Sequence, residues 1–319
     1  MRIGTRRSAL ALAQANLVAD RLEIGQHVDC EIVPIVTSGD RRRAGGAGPV
    51  APARSRSGRG AAGADKSRWV TELESALAGG EIDLAVHSAK DLPGELAEGL
   101  SLHGAPERAA AEDVLCGAAG LDDLRPGARV GTSSIRRVAQ LRAAREDLDV
   151  VAIRGNIDTR LGKLAESDLD AIVLARAGLQ RLDREDTIGA TLDPARFVPA
   201  PGQGVLALEG RADDARVKEA VQAIADADTF ACLLAERAVA RELDASCHTP
   251  LGAYAAPAGG GRLCLRAWVG LPDGSAWVAD ELLGQFHDPE ALGREVAARL
   301  KLAGAGDMLE RAEEMAARP

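Results

Sequence analysis

The strongest constraint on the fold is an internal repeat. Near the N-terminus, Arg2-Ile3-Gly4-Thr5-Arg6-Arg7-Ser8 runs into an apolar-periodic stretch over 9–22. That pattern is a short strand, a polar turn and a helix. The same order returns at Arg129-Val130-Gly131-Thr132-Ser133-Ser134-Ile135-Arg136-Arg137, which again enters a helical stretch. A second echo follows in each half. Ile82-Asp83-Leu84-Ala85-Val86 leads into His87-Ser88-Ala89-Lys90-Asp91, and Leu169-Asp170-Ala171-Ile172-Val173 leads into Leu174-Ala175-Arg176-Ala177-Gly178. Two related α/β units in tandem are expected. Their strands are continuous apolar runs, as in sheets covered by helices on both faces. In such sheets ligands bind beyond the carboxyl ends of the strands, which is where these polar turns fall. The ligand is expected in a cleft between the two units.

The last hundred residues follow another plan. A helix is expected over 229–243, then strands over 252–256, 263–269 and 276–283, and a helix over 289–302. Pro272-Asp273-Gly274-Ser275 supplies a hairpin turn between the last two strands. The reading is a smaller α+β domain with an antiparallel sheet. Residues 40–65 stand apart: they hold Arg41-Arg42-Arg43 and many glycines and alanines, but no leucine and no aromatic. Such a stretch buries too little apolar surface to offset the entropy of ordering, so a flexible basic loop is expected.

Composition removes several classes of function. With a net charge of −9, a general nucleic-acid or anionic-membrane binder is disfavoured. No apolar run approaches the roughly 20 residues that span a bilayer, and the N-terminus lacks a signal peptide's apolar stretch. A soluble cytoplasmic protein is expected. The five cysteines are Cys30, Cys116, Cys232, Cys247 and Cys264. They show no CxxC spacing, so neither a disulfide framework nor a metal site is read.

Three features point to chemistry. Arginines gather at strand ends: Arg6 with Arg7, Arg136 with Arg137, and Arg154 with Arg160 around Gly155-Asn156. Helix N-termini favour anions there, and arginine adds bidentate carboxylate recognition. Ser8, Thr132, Ser133 and Ser134 add hydroxyl donors. The plainer reading is solvated arginines and helix caps. Next, Lys90-Asp91 sets a carboxylate beside a cation at a strand end, suited to proton transfer; the plainer reading is a turn cap before Pro93. Finally, Cys247 lies on a loop in Asp244-Ala245-Ser246-Cys247-His248-Thr249-Pro250, where thiols are more often reactive. The other four cysteines sit in apolar runs and read as buried filler.

Together these motifs resemble the porphobilinogen deaminase (hydroxymethylbilane synthase) family. The matches are Gly4-Thr5-Arg6-Arg7-Ser8, Ala85-Val86-His87-Ser88-Ala89-Lys90-Asp91-Leu92-Pro93, Gly131 to Arg137, Arg154-Gly155-Asn156 with Thr159-Arg160, Pro201-Gly202-Gln203-Gly204, and Ser246 to Gly252. The resemblance implies two periplasmic-binding-protein-like α/β domains around a cleft. Domain 1 would comprise 1–106 and 200–218, with a flap over about 41–68, and domain 2 would comprise 107–199. Domain 3, over 219–319, would be α+β, with a three-stranded antiparallel sheet and the cofactor cysteine.

It further implies a monomeric transferase that condenses four porphobilinogens head to tail, releasing ammonia, onto a dipyrromethane primer. The primer would be a thioether of Cys247, and hydrolysis would free the product. By the same resemblance, Asp91, Lys90 and Arg6 belong to the reacting centre. Lys66, Ser88, Asp91, Thr132, Ser133, Ser134, Arg136, Arg137, Arg154 and Gly155 bind the cofactor. Arg6, Ser8, Arg154, Arg160 and Arg176 bind substrate. The chain departs from the family at Asp65-Lys66-Ser67-Arg68-Trp69, where Trp69 stands for a phenylalanine, and at Ala109-Ala110-Ala111-Glu112. Two other readings are a relative impaired by its altered flap and a non-catalytic two-lobed anion-binding module.

Overall fold

A computed structural model describes residues 1–35, 64–246 and 249–317. In chain order the first elements are β1 (Arg2–Arg6), α1 (Ala9–Gln26), β2 (Glu31–Ile35), α2 (Ala64–Ala78), β3 (Leu84–Ser88) and β4 (Leu100–Gly104). Next come β5 (Asp113–Cys116), β6 (Arg129–Gly131), α3 (Ile135–Ala144), β7 (Asp149–Val151), α4 (Ile157–Glu166), β8 (Ala171–Ala175), α5 (Arg176–Gln180) and β9 (Ala190–Thr191). The chain closes with β10 (Leu206–Arg211), α6 (Ala215–Gln222), α7 (Ala227–Glu242), β11 (Leu251–Gly259), β12 (Arg262–Gly270), β13 (Trp277–Gln285), α8 (Pro289–Leu302) and α9 (Ala305–Ala317).

The sequence repeat becomes two five-stranded sheets of the same plan, β2-β1-β3-β10-β4 and β7-β6-β8-β5-β9. In the first, β1, β2 and β3 run parallel, and β10 lies antiparallel between β3 and β4. In the second, β6, β7 and β8 run parallel, and β5 lies antiparallel between β8 and β9. The fourth position of the first sheet is filled by β10, from far along the chain, and that of the second by β5, the strand that opens its own consecutive run. This gives two compact units, Met1–Pro106 with Leu206–Ala225, and Glu107–Val205 with Asp226–Pro319.

In the first unit, α1 and α6 cover one face through Val18, Leu22, Val217 and Val221 against Ile3, Val86 and Leu208. The other face carries Leu73 and Leu77 of α2 against Ile82 and Ala85. Helix α2 begins at Ala64, so Ala64 and Asp65 are helical rather than part of the expected loop; residues 36–63 lie outside the described residues. In the second unit, Leu141 of α3 packs with Val130 and Val173 on one face. Leu161 and Leu164 of α4 pack with Ile153 and Ile172 on the other.

The C-terminal elements form the sheet β11-β12-β13. Val239 of α7 and Val296 of α8 pack against Ala253 and Leu265 on it. The terminal helix α9, unread in the sequence, joins this core through Ala305, Met308 and Leu309. The elements of the expected third domain fall within the second compact unit. Trp268 packs against Ala139 of α3 and Val198, Ala253 N donates to Pro199 O at 2.9 Å, and a Cβ at Gly252 would fall 2.7 Å from Val198 O. Residues 219–225 go with the first unit, beyond the expected boundary at 218.

Glu236 of α7 ties this region together. It is fully buried and lies 2.6 Å from Arg108 Nη1. It also accepts from Gly202 N at 2.6 Å and Ala255 N at 2.8 Å, and Arg108 lies 4.9 Å over the Tyr254 ring. Glu236→Gln should cost about 2 kcal/mol, the scale of a lost hydrogen bond to a charged group. A urea midpoint unchanged from wild type would contradict that.

Of the cysteines expected to be buried, Cys116 and Cys232 are, whereas Cys30 and Cys264 are only partly buried. The reason differs for each: Cys30 precedes β2 at the margin of the first sheet, and Cys264 lies on β12 beside exposed Leu283 of β13.

Candidate functional site

In the first unit, the neighbouring parallel strands β1 and β3 deliver their turns to one sheet edge. Arg6 ends β1 and is partly exposed; Arg7 is exposed. Ser8 caps α1, its Oγ accepting from Ala11 N at 3.2 Å, which leaves the hydroxyl proton to donate. Ser88 ends β3, and Ala89–Asp91 form a 3₁₀ turn directly after it. Lys90 and Asp91 are partly exposed. The fold thus gathers Arg6, Ser8, Ser88, Lys90 and Asp91 on the carboxyl edge of two adjacent strands.

In the second unit, β7, β6 and β8 are adjacent and parallel, so their carboxyl ends also fall side by side. Thr132, Ser133 and Ser134 follow β6, Arg154 and Gly155 follow β7, and Arg176 follows β8. Thr132 is buried and takes Ser134 N on its Oγ1 at 3.2 Å. Ser133 Oγ donates to Ile153 O at 2.6 Å. Arg154 is exposed, and its guanidinium meets no hydrogen-bond or ion-pair partner among the described residues. Gly155 sits at φ +128°, and a Cβ there would lie 2.7 Å from Thr159 Cγ2, so only glycine fits. Arg160 Nε donates to Gly155 O at 2.9 Å. Arg176 Nε lies 3.3 Å from Glu185 Oε1.

The helix starts divide in a telling way. Ser8, Asp214, Asp226 and Asp288 each cap their helix with a side-chain bond. Ser134 and Asn156, at the starts of α3 and α4, make no capping bond. First-turn N–H groups without an internal partner attract anions. The two uncapped long helices open at the edge that carries Arg154.

Arg136 and Arg137 require a correction. Their place after a polar turn predicts side chains turned toward ligand carboxylates, yet both are buried, at 3% and 6% exposure. Arg136 Nη2 and Arg137 Nη2 each lie 2.7 Å from a carboxylate oxygen of Asp113, which is itself fully buried. Arg136 Nη1 donates to Val198 O at 2.7 Å and Arg137 Nη1 to Val173 O at 2.9 Å. Buried guanidinium groups require a counter-charge, and Asp113 opens the strand beside them. Burial pushes the Asp113 carboxyl up, but Arg136 and Arg137, with hydrogen bonds from Arg137 and Gln203, hold it well below the usual carboxylate range. Two cations on one carboxylate leave one positive charge beneath the start of α3.

Asp113 was unassigned in the sequence reading; the signal was a charged residue opening the apolar run Asp113-Val114-Leu115-Cys116. Cys247 and His248 lie outside the described residues, as do the side chains of Lys66 and Trp69. Among the described residues no cluster could hold a metal ion.

Comparison with known proteins places the chain. A family model described as "Porphobilinogen deaminase, dipyromethane cofactor binding domain" matches residues 1–219, and "Porphobilinogen deaminase, C-terminal domain" matches residues 230–302. A porphobilinogen deaminase of Brevibacillus brevis is 42% identical, covering 97% of this chain and 96% of the relative. One from Shouchella clausii is 43% identical, covering 97% and 96%. One from Deinococcus deserti is 44% identical, covering 98% of each. Among solved structures, the methionine binding protein MetQ aligns with a TM-score of 0.41 and 15% identity, over 70% of this chain and 89% of that one. The two family models between them cover both sheets of the repeat and most of the C-terminal elements, and the chain belongs to the porphobilinogen deaminase family.

Proposed function

We propose that the chain joins four porphobilinogen units head to tail, releasing ammonia at each addition, and frees the linear tetrapyrrole hydroxymethylbilane by hydrolysis. Family membership supports the reaction, and the uncapped, cationic strand edge of the second unit supports the ligand class. Each pyrrole carries an acetate and a propionate, so cofactor and substrate are polyanions. The starts of α3 and α4, exposed Arg154 and the residual charge on Arg136–Arg137–Asp113 fit such groups, within a chain of net charge −9. A dipyrromethane linked through the Cys247 thiol supplies the primer carbon to which the chain is added.

The residues divide the work. Ser134, Arg154 and the backbone at Ser133 and Gly155 hold cofactor carboxylates, Lys66 and Ser88 complete that set, and buried Thr132 shapes the turn behind them. Arg136 and Arg137 act from behind, through charge. Ser8, Arg6, Arg160 and Arg176 hold substrate carboxylates. Asp91 donates a proton to the departing aminomethyl nitrogen as the C–N bond breaks. The electron-rich pyrrole supplies the electron pair, and the ionised carboxylate then steadies the pyrrolenine cation. Lys90 sits beside it. A monomer in the cytoplasm fits the reading; no helix among the described residues is long and apolar enough to cross a membrane.

Incubation of purified holo-protein with porphobilinogen should release ammonia and hydroxymethylbilane in a ratio of about four to one; binding without turnover would refute the reaction. Arg154→Leu should fold normally, because the Arg154 guanidinium holds nothing among the described residues. It should lower kcat/KM about 10- to 100-fold, the worth of a charge-assisted hydrogen bond. Unchanged kinetics would remove Arg154 from the site.

A further inference from the structure

We propose that the buried pair His87–Glu209 is a positioning device for Asp91, an inference that rests on the catalytic reading of Asp91 above. His87 lies on β3 and Glu209 on β10. Their side chains are 5% and 0% exposed, with Nε2 and Oε2 2.8 Å apart. In the strand register Ala207 faces His87 and Leu206 faces Ser88, so Glu209 is the diagonal neighbour of His87. Among the described residues no well-aligned hydrogen bond reaches either oxygen of Glu209. A fully buried carboxylate needs a partner that carries a charge or shares a proton, and here that partner is His87.

The surrounding groups offer no substitute. Glu74 of α2 also faces the pair. Its Oε1 accepts from Ala97 N at 3.1 Å, and burial, with Glu209 adding to it, pushes its carboxyl above the usual range. His103 of β4 is buried, and burial holds its imidazole below its ordinary value. Neither supplies a positive charge. The pair therefore pins β3 to β10 one residue before the strand ends at Ser88. The turn carrying Asp91 leaves from that end. A slip of one residue would send alternate side chains to the wrong face, and displacements near 1 Å at a reacting group cost on the order of 10²-fold in rate.

The test compares kcat, KM and thermal unfolding of the holo-protein with those of His87→Gln, Glu209→Gln and the double variant. His87→Gln leaves Glu209 facing a neutral amide, which neither carries a charge nor shares a proton, and should lower kcat about 10- to 100-fold, with KM for porphobilinogen within about twofold. Glu209→Gln leaves a neutral amide beside the imidazole and should retain kcat to within about threefold, and the double variant pairs two neutral amides and should recover to the same level. A folded His87→Gln protein with wild-type kcat would overturn the proposal, as would a double variant no better than His87→Gln. Should His87→Gln fail to fold, recovery of folded, active protein in the double variant supports the proposal, and failure to recover overturns it. Normal turnover in Asp91→Ala would instead remove the catalytic reading itself, so the two failures are distinct.

Discussion

Asp91→Ala protein is expected to fold, to carry its covalent primer, and to release ammonia from porphobilinogen roughly 10³-fold more slowly than wild type, within the range for loss of a general acid. The expectation comes from placement. The β3 strand is buried from Leu84 to His87, then emerges at Ser88, and the 3₁₀ turn sets Asp91 at the edge shared with Arg6 and Ser8. That turn holds one carboxylate beside one lysine ammonium, where a proton can pass to an amine and the resulting anion can face a cation. Alanine removes the proton donor without touching the buried strand. The decisive readings are the rate of ammonia release and the intact mass. Asp91→Asn should be similarly slow, because an amide keeps the shape but neither donates an acidic proton nor carries charge. Turnover within a few-fold of wild type in either variant would end the assignment.

Asp113→Asn should destabilise the second unit by about 3–5 kcal/mol, the usual cost of removing one partner from a buried ion pair. Asp113 is the sole acidic side chain within ion-pair distance of Arg136 and Arg137 among the described residues, and it also accepts from Gln203 Nε2 at 2.9 Å. With an amide in its place, two guanidinium groups stay buried with no negative charge. The sign of the pH dependence follows. The carboxyl is held below its ordinary value of 3.8 in the folded protein. Its contribution is therefore fully present above about pH 4 and is lost as pH falls toward the folded-state value. Wild type should lose stability in acid more steeply than Asp113→Asn, while being the more stable of the two at neutral pH. Urea midpoints across pH 3–7 check this; parallel curves, or a variant as stable as wild type at pH 7, would contradict it.

Much of this was legible in the sequence, for reasons that particular residues make plain. The strand–turn–helix units announced themselves because each parallel strand is a continuous apolar run and each polar turn is short. Ser8 caps α1, as the plainer reading of its hydroxyl expects. The hairpin at Pro272 to Ser275 and the Pro289 helix start carry local signals that the fold obeys. What stayed hidden depends on distant partners. β10 fills the fourth place of the first sheet from far along the chain; the family resemblance places 200–218 with the first unit, but the buried Glu209 interrupts the apolar pattern that would have marked the strand itself. The arginines show the same limit at the site. Arg136 and Arg137 follow a polar turn at a strand end, which reads as ligand-facing, but the carboxylate that draws them inward sits 23 and 24 residues earlier in the chain. Arg154 meets no such partner among the described residues and is exposed. Periodicity shows which face of an element is buried; it does not show which charges are spent on one another.

The central claim is that a thiol of this chain carries the growing pyrrole chain. The most direct measurement is the intact mass of purified protein, expressed with heme precursors available, beside that of Cys247→Ser. Wild-type protein should be heavier than its sequence by two porphobilinogen units less the ammonia each loses, and Cys247→Ser protein should have its bare sequence mass. Unmodified wild-type protein, or an adduct that survives in Cys247→Ser, would contradict it.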